Sequence, residues 1–354
     1  MRIIVNDIAA SCGGAMSILR QFYDYIKEND KENEWIFLLS GEYFAGTENI
    51  SVIVKEKVKR NGLQKILFDC IYGRRFISRL NPDIVFSLQN IITFGVKAPQ
   101  IVYIHQSIPF QKEKRFSFFK KRERKLAFYQ YIVGGFIKKS AKKADGIIVQ
   151  TKWMKDALCK ATGVGKEKVL VALPDVSDYE YNPSIDIQTN QFFYPTTNEI
   201  YKNIDCIIRA CDCLNEIGIN DFSVKLTLEP GTVNHPNIEC IGLLEKEQMQ
   251  KLYQSSVLLF PSYIETIGLP LLEAKQCNTM IIASDCVYSK EVLIGYENVS
   301  YFNPWKPEEL ADQMKKVITE APIHIVPINR DVADKNSSWF DVYNYLKNGI
   351  EKSI

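Results

Sequence analysis

The stretch Phe260-Pro261-Ser262-Tyr263-Ile264-Glu265-Thr266-Ile267-Gly268-Leu269-Pro270-Leu271-Leu272-Glu273-Ala274 carries two carboxylates with seven residues between them, between an apolar run and a helical pattern. Residues 257–260 read as a buried strand. Gly268 gives the turn its freedom in φ, and Pro270 suits the opening of a helix. Glu265 is then expected on the loop with Thr266 and Ile267, and Glu273 in the first helical turn. Backbone N–H groups near Gly268 and Leu269 have no helical carbonyl to bind. Such donors, with the helix dipole behind them, suit a phosphate or the hydroxyls of a bound sugar. A carboxylate that accepts two vicinal hydroxyls is a common way to hold a ribose. The plain alternative is that Glu273 merely stabilises a helix start and Glu265 is a solvated loop residue.

Two series of β-rich runs and helical patterns place these residues. Strands are expected at 2–6, 35–39, 83–88, 101–105 and 146–150, with helices at about 15–28 and 63–80. A polar, proline-containing stretch at 175–190 reads as the linker. Beyond it come strands at 192–194, 224–228, 257–260 and 280–283, helices at 203–217 and 247–253, and a final helix from about 338. The alternation predicts an α/β protein of two Rossmann-like, doubly wound parallel-sheet domains, 1–178 and 188–335. The C-terminal strand ends of both sheets are expected to face a central cleft, where ligands of open α/β sheets bind. His105, one of three histidines, ends the strand Ile101-Val102-Tyr103-Ile104 and is expected there, although a structural histidine fits equally.

The chain has 354 residues, beyond the size at which single cores stop growing, and an ordinary content of 46% apolar and 24% charged residues. No apolar run approaches the ~20 residues of a spanning helix, and no signal peptide is recognisable. Nine cysteines without a Cys-x-x-Cys pair fit reduced thiols in a cytoplasmic protein, with Cys211 and Cys213 in the core. No Asp-x-Asp and no His/carboxylate cluster occurs, so neither metal nor cofactor is expected. The net charge of +2 divides unevenly. Residues 1–187 hold 30 Lys+Arg against 20 Asp+Glu, a balance of +10; residues 188–354 hold 14 against 22, a balance of −8.

Glu265 and Glu273 are followed by Ile281-Ile282-Ala283-Ser284-Asp285 and Glu291-Val292-Leu293. They are preceded by Tyr201-Lys202-Asn203 and Ile241-Gly242-Leu243, and Val299-Ser300-Tyr301-Phe302-Asn303-Pro304 comes later. This pattern closely resembles the retaining glycosyltransferases of family 4, the "glycosyl transferases group 1" domain, over most of the C-terminal half. Cys12-Gly13-Gly14 and Ala144-Asp145-Gly146-Ile147-Ile148-Val149-Gln150-Thr151 resemble the family's N-terminal half more weakly. The resemblance implies a GT-B fold, with the helix at 338–354 crossing back to the first domain, and transfer of a sugar from a nucleotide-diphosphate sugar to a saccharide acceptor. It implies that Glu273 binds the donor ribose, that Glu265 sits near the donor sugar's hydroxyls, and that the amides of Gly268 and Leu269 contact the diphosphate or sugar. Gly13, Gly14, Gly242 and Leu243 fall at donor-binding positions, and His105 beside the reacting sugar. Lys202 matches the lysine that neutralises the leaving diphosphate. A Gly-Arg pair that many members carry about five residues earlier is absent: Tyr194-Pro195-Thr196-Thr197-Asn198 stands there, and Arg209 is expected to point elsewhere.

Residues 112–125 hold eight cations, among them Lys120, Lys121, Arg122 and Arg124, interleaved with Phe116, Phe118 and Phe119. An apolar-aromatic segment including Phe128, Tyr129, Tyr131, Ile132, Val133, Phe136 and Ile137 follows, flanked by lysines. It suits lying on an anionic membrane surface, or else packing its aromatics in the core beneath a solvated basic face. Nucleic acid is not an expected partner, since no nucleic-acid module accompanies the charge. The expectation is a glycosyltransferase of the hexosyltransferase type (EC 2.4). It would be peripheral at the inner face of the membrane, act in cell-surface polysaccharide assembly of capsule or O-antigen type, and take a lipid-linked acceptor. The alternatives are a GT-B-fold nucleotide-sugar epimerase and an inactive membrane-associated scaffold.

Overall fold

A computed structural model describes residues 1–11, 13–59, 62–175, 179, 181–320 and 338–351. Two compact units divide the chain, the first comprising Met1–Lys120, Arg124–Asp175 and Lys335–Ile354 and the second Lys121–Glu123 and Val176–Asp334. The first unit is built on strands β1 (Arg2–Asp7), β2 (Glu34–Leu39), β3 (Ile50–Val54), β4 (Ile84–Ser87), β5 (Gln100–Ile104), β6 (Gly146–Val149) and β7 (Val169–Val171). All pair in parallel, in the order β3-β2-β1-β4-β5-β6-β7. The second unit carries β8 (Gln191–Tyr194), β9 (Ser223–Leu226), β10 (Ile238–Cys240), β11 (Val257–Phe260), β12 (Ile281–Ser284) and β13 (Val299–Phe302), parallel in the order β10-β9-β8-β11-β12-β13. These are two doubly wound, Rossmann-like sheets. Strand order reverses between β1 and β4 in one and between β8 and β11 in the other, and such switch points open a crevice at the carboxyl ends of the strands.

The strands form where the sequence is apolar and β-branched. β4, β5, β6, β11 and β12 are buried along their whole length, as parallel strands covered on both faces must be. In the first unit the helix Gly13–Asn29 buries Ile18, Leu19, Phe22, Tyr23 and Ile26 on one face. Phe22 meets Trp35 and Phe86 edge-on, with ring centroids 5.8 and 5.1 Å away. The C-terminal helix Ser338–Glu351 packs into this same core. Trp339 lies 5.2 Å from Phe22 and stacks 6.0 Å from Tyr103, and its indole N–H donates to Gln21 Oε1 at 3.3 Å.

The run expected as one helix over 63–80 is helical in three pieces. A π-helical turn, Phe68–Tyr72, separates Gly62–Leu67 from Gly73–Arg79. A second π turn, Phe128–Val133, interrupts the helical run between Arg124–Ala127 and Gly134–Lys143. Each π turn is followed by a glycine with no room for a side chain. A Cβ on Gly73 would come within 2.4 Å of the Phe68 carbonyl oxygen, and one on Gly134 within 2.8 Å of Pro109.

Candidate active site

The second unit's site is assembled on both sides of its switch point. β8 ends at Tyr194, and the chain then forms a 3-10 turn, Ile200–Lys202, before the helix Ile204–Glu216. The residue between them, Asn203, has φ +60°, a left-handed conformation that asparagine tolerates better than most. Its side-chain amide donates to the carbonyls of Pro261 (3.1 Å) and Pro304 (2.8 Å), so one residue ties the loops after β8, β11 and β13 together. Tyr263 N–H adds a bond to Tyr201 O at 3.1 Å.

That stitching brings Lys202 to Glu265. Lys202 Nζ lies 2.5 Å from Glu265 Oε1, and both side chains are only about one-sixth exposed (16% and 15%). Ser262 Oγ lies 2.8 Å from the same carboxylate oxygen, and Tyr288 OH fixes the loop by donating to Ser262 O at 2.5 Å. Burial by itself would pull the Lys202 ammonium down. The charge and hydrogen bond of Glu265, with Tyr201 and Glu199 adding, outweigh it and hold its pKa above the ordinary lysine value. The pair therefore keeps a permanent cation in a poorly solvated place, where it acts more strongly than in water.

Gly268 caps the helix Leu269–Gln276 with φ +73°. A Cβ there would sit 3.2 Å from the Phe260 ring and 3.3 Å from Leu271, so both the conformation and the space call for glycine. Pro270 lies in the opening of the helix, and Leu271 N–H bonds to Gly268 O at 2.8 Å. Thr266 and Ile267 are buried under the turn, and Leu269 is half-buried.

Glu273 departs from expectation. The helix begins at Leu269, so Glu273 is its fifth residue, past the first turn, and the first turn contains no acidic residue. The helix opens one residue before Pro270, which carries Glu273 just past the first turn. Glu273 is held instead by Tyr253, whose hydroxyl donates to Glu273 Oε2 at 2.6 Å. Burial pushes the Glu273 carboxyl up, and the Tyr253 hydrogen bond draws it partly back. Tyr253 is itself buried, packed edge-on against Phe193 and Tyr179.

The segment that stands where the Gly-Arg pair would be is pinned by Thr227. Thr196 N–H donates to Thr227 Oγ1 at 2.7 Å, and that hydroxyl donates back to Thr196 O at 3.1 Å. Arg209 lies within the helix Ile204–Glu216, where its charge acts on Cys206 and Cys213. Gly242, with φ +75°, follows β10 and donates its N–H to Leu228 O at 2.8 Å; Leu243 beside it is almost fully exposed.

Gly13, Gly14 and His105 belong to the first unit. The glycines open the helix Gly13–Asn29 after β1 and are exposed. His105 directly follows β5. Burial pulls its pKa down to about 4, so the ring is neutral at pH 7. Lys120, Lys121, Arg122 and Arg124 are all exposed. The following segment divides its aromatics: Phe110 and Phe116 are buried, whereas Phe118, Phe119, Phe128, Tyr129, Tyr131 and Ile132 are exposed. Among the described residues, no helix is long and apolar enough to cross a membrane, and no three His, Cys, Asp or Glu side chains group as metal ligands.

Ser262, Tyr253, Tyr288 and Asn90, which contacts His105, were not marked by the sequence. Ser262 carried a weak signal, three residues before Glu265 on the same loop. The tyrosines are buried hydroxyls that need partners, and which partner each meets is a tertiary fact.

Residues 232–333 match the glycosyl transferases group 1 family. The chain is similar to the O-antigen chain mannosyltransferase RfbU of Salmonella typhimurium, with 24% identity over 311 residues, 80% of this chain and 86% of that one. Among solved structures it resembles WaaG, a glycosyltransferase involved in lipopolysaccharide biosynthesis (TM-score 0.67, 14% identity, 99% of this chain and 98% of that chain). It also resembles HepE of Anabaena, solved in complex with UDP-glucose (TM-score 0.61, 14% identity, 90% of each chain). The sheets, the motif and these likenesses agree: the chain is a GT-B-fold glycosyltransferase whose residues 232–333 match the glycosyl transferases group 1 family.

Proposed function

We propose that the protein is a retaining, metal-independent glycosyltransferase of the family 4 type. It would move a hexosyl unit from a nucleotide-diphosphate sugar to a lipid-linked saccharide in O-antigen-type polysaccharide assembly. The observation that carries this is the Lys202–Glu265 pair beside the Gly268 turn, at the switch point of the second sheet. In the reaction the bond from the anomeric carbon to the diphosphate oxygen breaks, the acceptor hydroxyl oxygen bonds to that carbon, and the hydroxyl proton passes to the leaving diphosphate. Negative charge grows on the diphosphate, and Lys202 stabilises it where it grows. Glu265 takes sugar hydroxyls and Glu273 the ribose. The RfbU and WaaG likenesses support a surface-saccharide acceptor, and the HepE complex supports a nucleotide-sugar donor. The exposed aromatics and cations of residues 118–132 support work at the inner, anionic face of the membrane.

A panel of UDP-, GDP- and ADP-sugars tests this, with and without a lipid-diphosphate-linked saccharide, in excess EDTA. Expected is nucleoside-diphosphate release that depends on acceptor, survives chelation and yields a product of unchanged anomeric configuration. Release of an altered sugar without acceptor would instead make the protein an epimerase. Failure of every nucleotide to stabilise it against heat would leave a scaffold, because a ligand at 100 times its dissociation constant stabilises by about 2.7 kcal/mol.

A further inference from the structure

The chain between β3 and β4 encloses a cavity of about 350 Å³ that lies wholly within the first unit. Its walls include Phe68, Tyr72 and Phe76 together with Lys55 and Lys57, and none of the residues that line it is acidic. The two lysines come from the carboxyl ends of the edge strands. β2 ends at Leu39 and β3 at Val54; Lys55 N–H donates to Leu39 O at 2.7 Å, and Val58 N–H donates to Lys55 O at 3.0 Å. Open α/β sheets take their ligands at that end of the strands.

The aromatic wall comes from the π turn Phe68–Tyr72 and the helix after it. Asp69 anchors one side of the turn. Its carboxylate takes Lys65 Nζ at 2.7 Å and Gln89 Nε2 at 3.0 Å, and its carbonyl accepts Phe94 N–H at 2.7 Å. Gln89 and Phe94 follow β4, so that side is fixed close to the switch point. Phe68 and Tyr72 meet edge-on at 5.5 Å, and Phe76 lies 6.5 Å from Phe68. A π turn of this kind is frequent at functional sites.

Lys55 Nζ lies 3.7 Å from the centre of the Phe76 ring, which sets a cation directly on the apolar wall. The rim is apolar and open, with Tyr72 44% exposed and Ile71 beside it 58% exposed. Two cations without an anion would attract phosphate, and the rings would take a hydrocarbon chain. The volume falls at the lower end of the range that holds organic molecules, so it suits a head group and the start of a chain.

We propose that this cavity binds the diphosphate and first isoprene units of a polyisoprenyl-diphosphate-linked acceptor. The phosphate oxygens meet Lys55 and Lys57, and the chain runs along Phe68, Tyr72 and Phe76 towards Ile71. The identity of the natural occupant rests on the lipid-linked acceptor proposed above.

Calorimetry of the full chain with farnesyl diphosphate, without nucleotide sugar, tests the site. Expected is saturable binding, roughly ten-fold or more tighter than that of inorganic diphosphate or of farnesol. Lys55→Gln combined with Lys57→Gln should weaken farnesyl diphosphate by roughly ten-fold and leave farnesol unmoved, whereas Tyr72→Ser should weaken both. Unchanged melting temperatures show that the fold is kept. No binding by the unaltered protein, or equal binding by all variants, would overturn the site. A single-chain lysophosphatidate that binds as tightly, and is lost in the same variants, would make the cavity a contact for membrane lipid and overturn the isoprenyl assignment. In turnover, the double variant should raise KM for a polyisoprenyl-diphosphate-linked saccharide by roughly ten-fold, with kcat changing less. An unchanged KM would overturn the acceptor role. Absence of turnover by the unaltered protein with every nucleotide sugar would instead sink the glycosyl-transfer reading, and the farnesyl diphosphate calorimetry would still decide the site.

Discussion

At the switch point of the second sheet, Lys202 and Glu265 are largely buried together 2.5 Å apart, and Glu265 holds the Lys202 ammonium above the ordinary lysine value. At the switch point of the first, the titratable groups are driven the other way. Burial raises Asp7 to about 7, against the pull of Lys65, the Ala10 N–H and Lys59, and it lowers His105 to about 4. Removing charge from water costs several kcal/mol per ion unless a partner is close. The second unit supplies that partner to Lys202 and the first supplies Lys65 to Asp69 at 2.7 Å, while burial dominates at Asp7 and His105. A held cation suits a leaving diphosphate, whereas neutral donors and acceptors suit sugar hydroxyls. At the surface the contrast reverses: residues 1–187 carry +10 and residues 188–354 carry −8, and the first unit's cations lie beside exposed aromatics.

The largest effect we expect comes from that surface. The protein should float with anionic vesicles and not with neutral ones, and binding should weaken steeply with salt, since screening acts over about 8–10 Å. Replacing Lys120, Lys121, Arg122 and Arg124 by Ser should remove about 4 kcal/mol of binding if each contributes about 1. The Arg124 change also frees Phe118, whose carbonyl accepts Arg124 Nε–H at 3.1 Å. Equal flotation of the substituted protein would reduce the stretch to a solvated basic face and erase the surface half of the contrast.

Next is the buried pair. Lys202→Ala should lower kcat by roughly 10²–10³, while nucleotide affinity changes much less, because the charge it meets develops in the transition state. Its raised pKa keeps it cationic well past neutral pH, and the stability the pair contributes is lost only as pH rises through that raised value. Equal losses in binding and turnover would make Lys202 a simple anchor, no different in kind from a surface contact.

What could be read in the sequence follows burial as well. The central strands were legible as continuous apolar runs. The four strands that were not marked, β3, β7, β10 and β13, are the four edges of the two sheets. Each is partly exposed, so its residues lack the continuous apolar pattern that marked the others. The two π turns were illegible for another reason. Phe68–Tyr72 and Phe128–Val133 keep helical periodicity in sequence, and only the close approach of Gly73 and Gly134 to their neighbours marks the extra residue. At the candidate site, Glu265 and Gly268 could be named from their types and spacing, and Lys202 from the family resemblance. Their supports could not, because Asn203, Tyr253 and Tyr288 act across 20 or more residues of sequence.

Glu273 gives a third, smaller test. Its carboxyl is raised by burial and steadied by one tyrosine hydroxyl, so it stands between the charged pair and the neutral groups. Glu273→Ala should weaken nucleoside-diphosphate binding by roughly 1.5–3 kcal/mol, as expected for losing a charged hydrogen-bond partner. Tyr253→Phe should do the same to a lesser degree, since the carboxyl would then favour its protonated form. Unchanged affinity by calorimetry in both variants would leave Glu273 a packing residue.

The smallest effect tests whether the first unit really holds its buried carboxyl neutral. Asp7 ends β1 at the switch point, and burial raises its pKa from 3.8 to about 7 in the folded chain. A raised carboxyl contributes stability that is complete below the unfolded value, near 4, and lost as pH rises through the folded value. Asp7→Asn cannot titrate, so it lacks that decline. Between pH 4 and pH 7 the melting temperature of the variant should therefore gain on that of the unaltered protein, by roughly a few degrees. The gain is expected to stay small because Lys65 and Lys59 already draw the carboxylate form back. If the two proteins keep a constant difference across that range, Asp7 is ionised throughout. The first unit would then bury charge against its lysines much as the second buries Lys202 against Glu265.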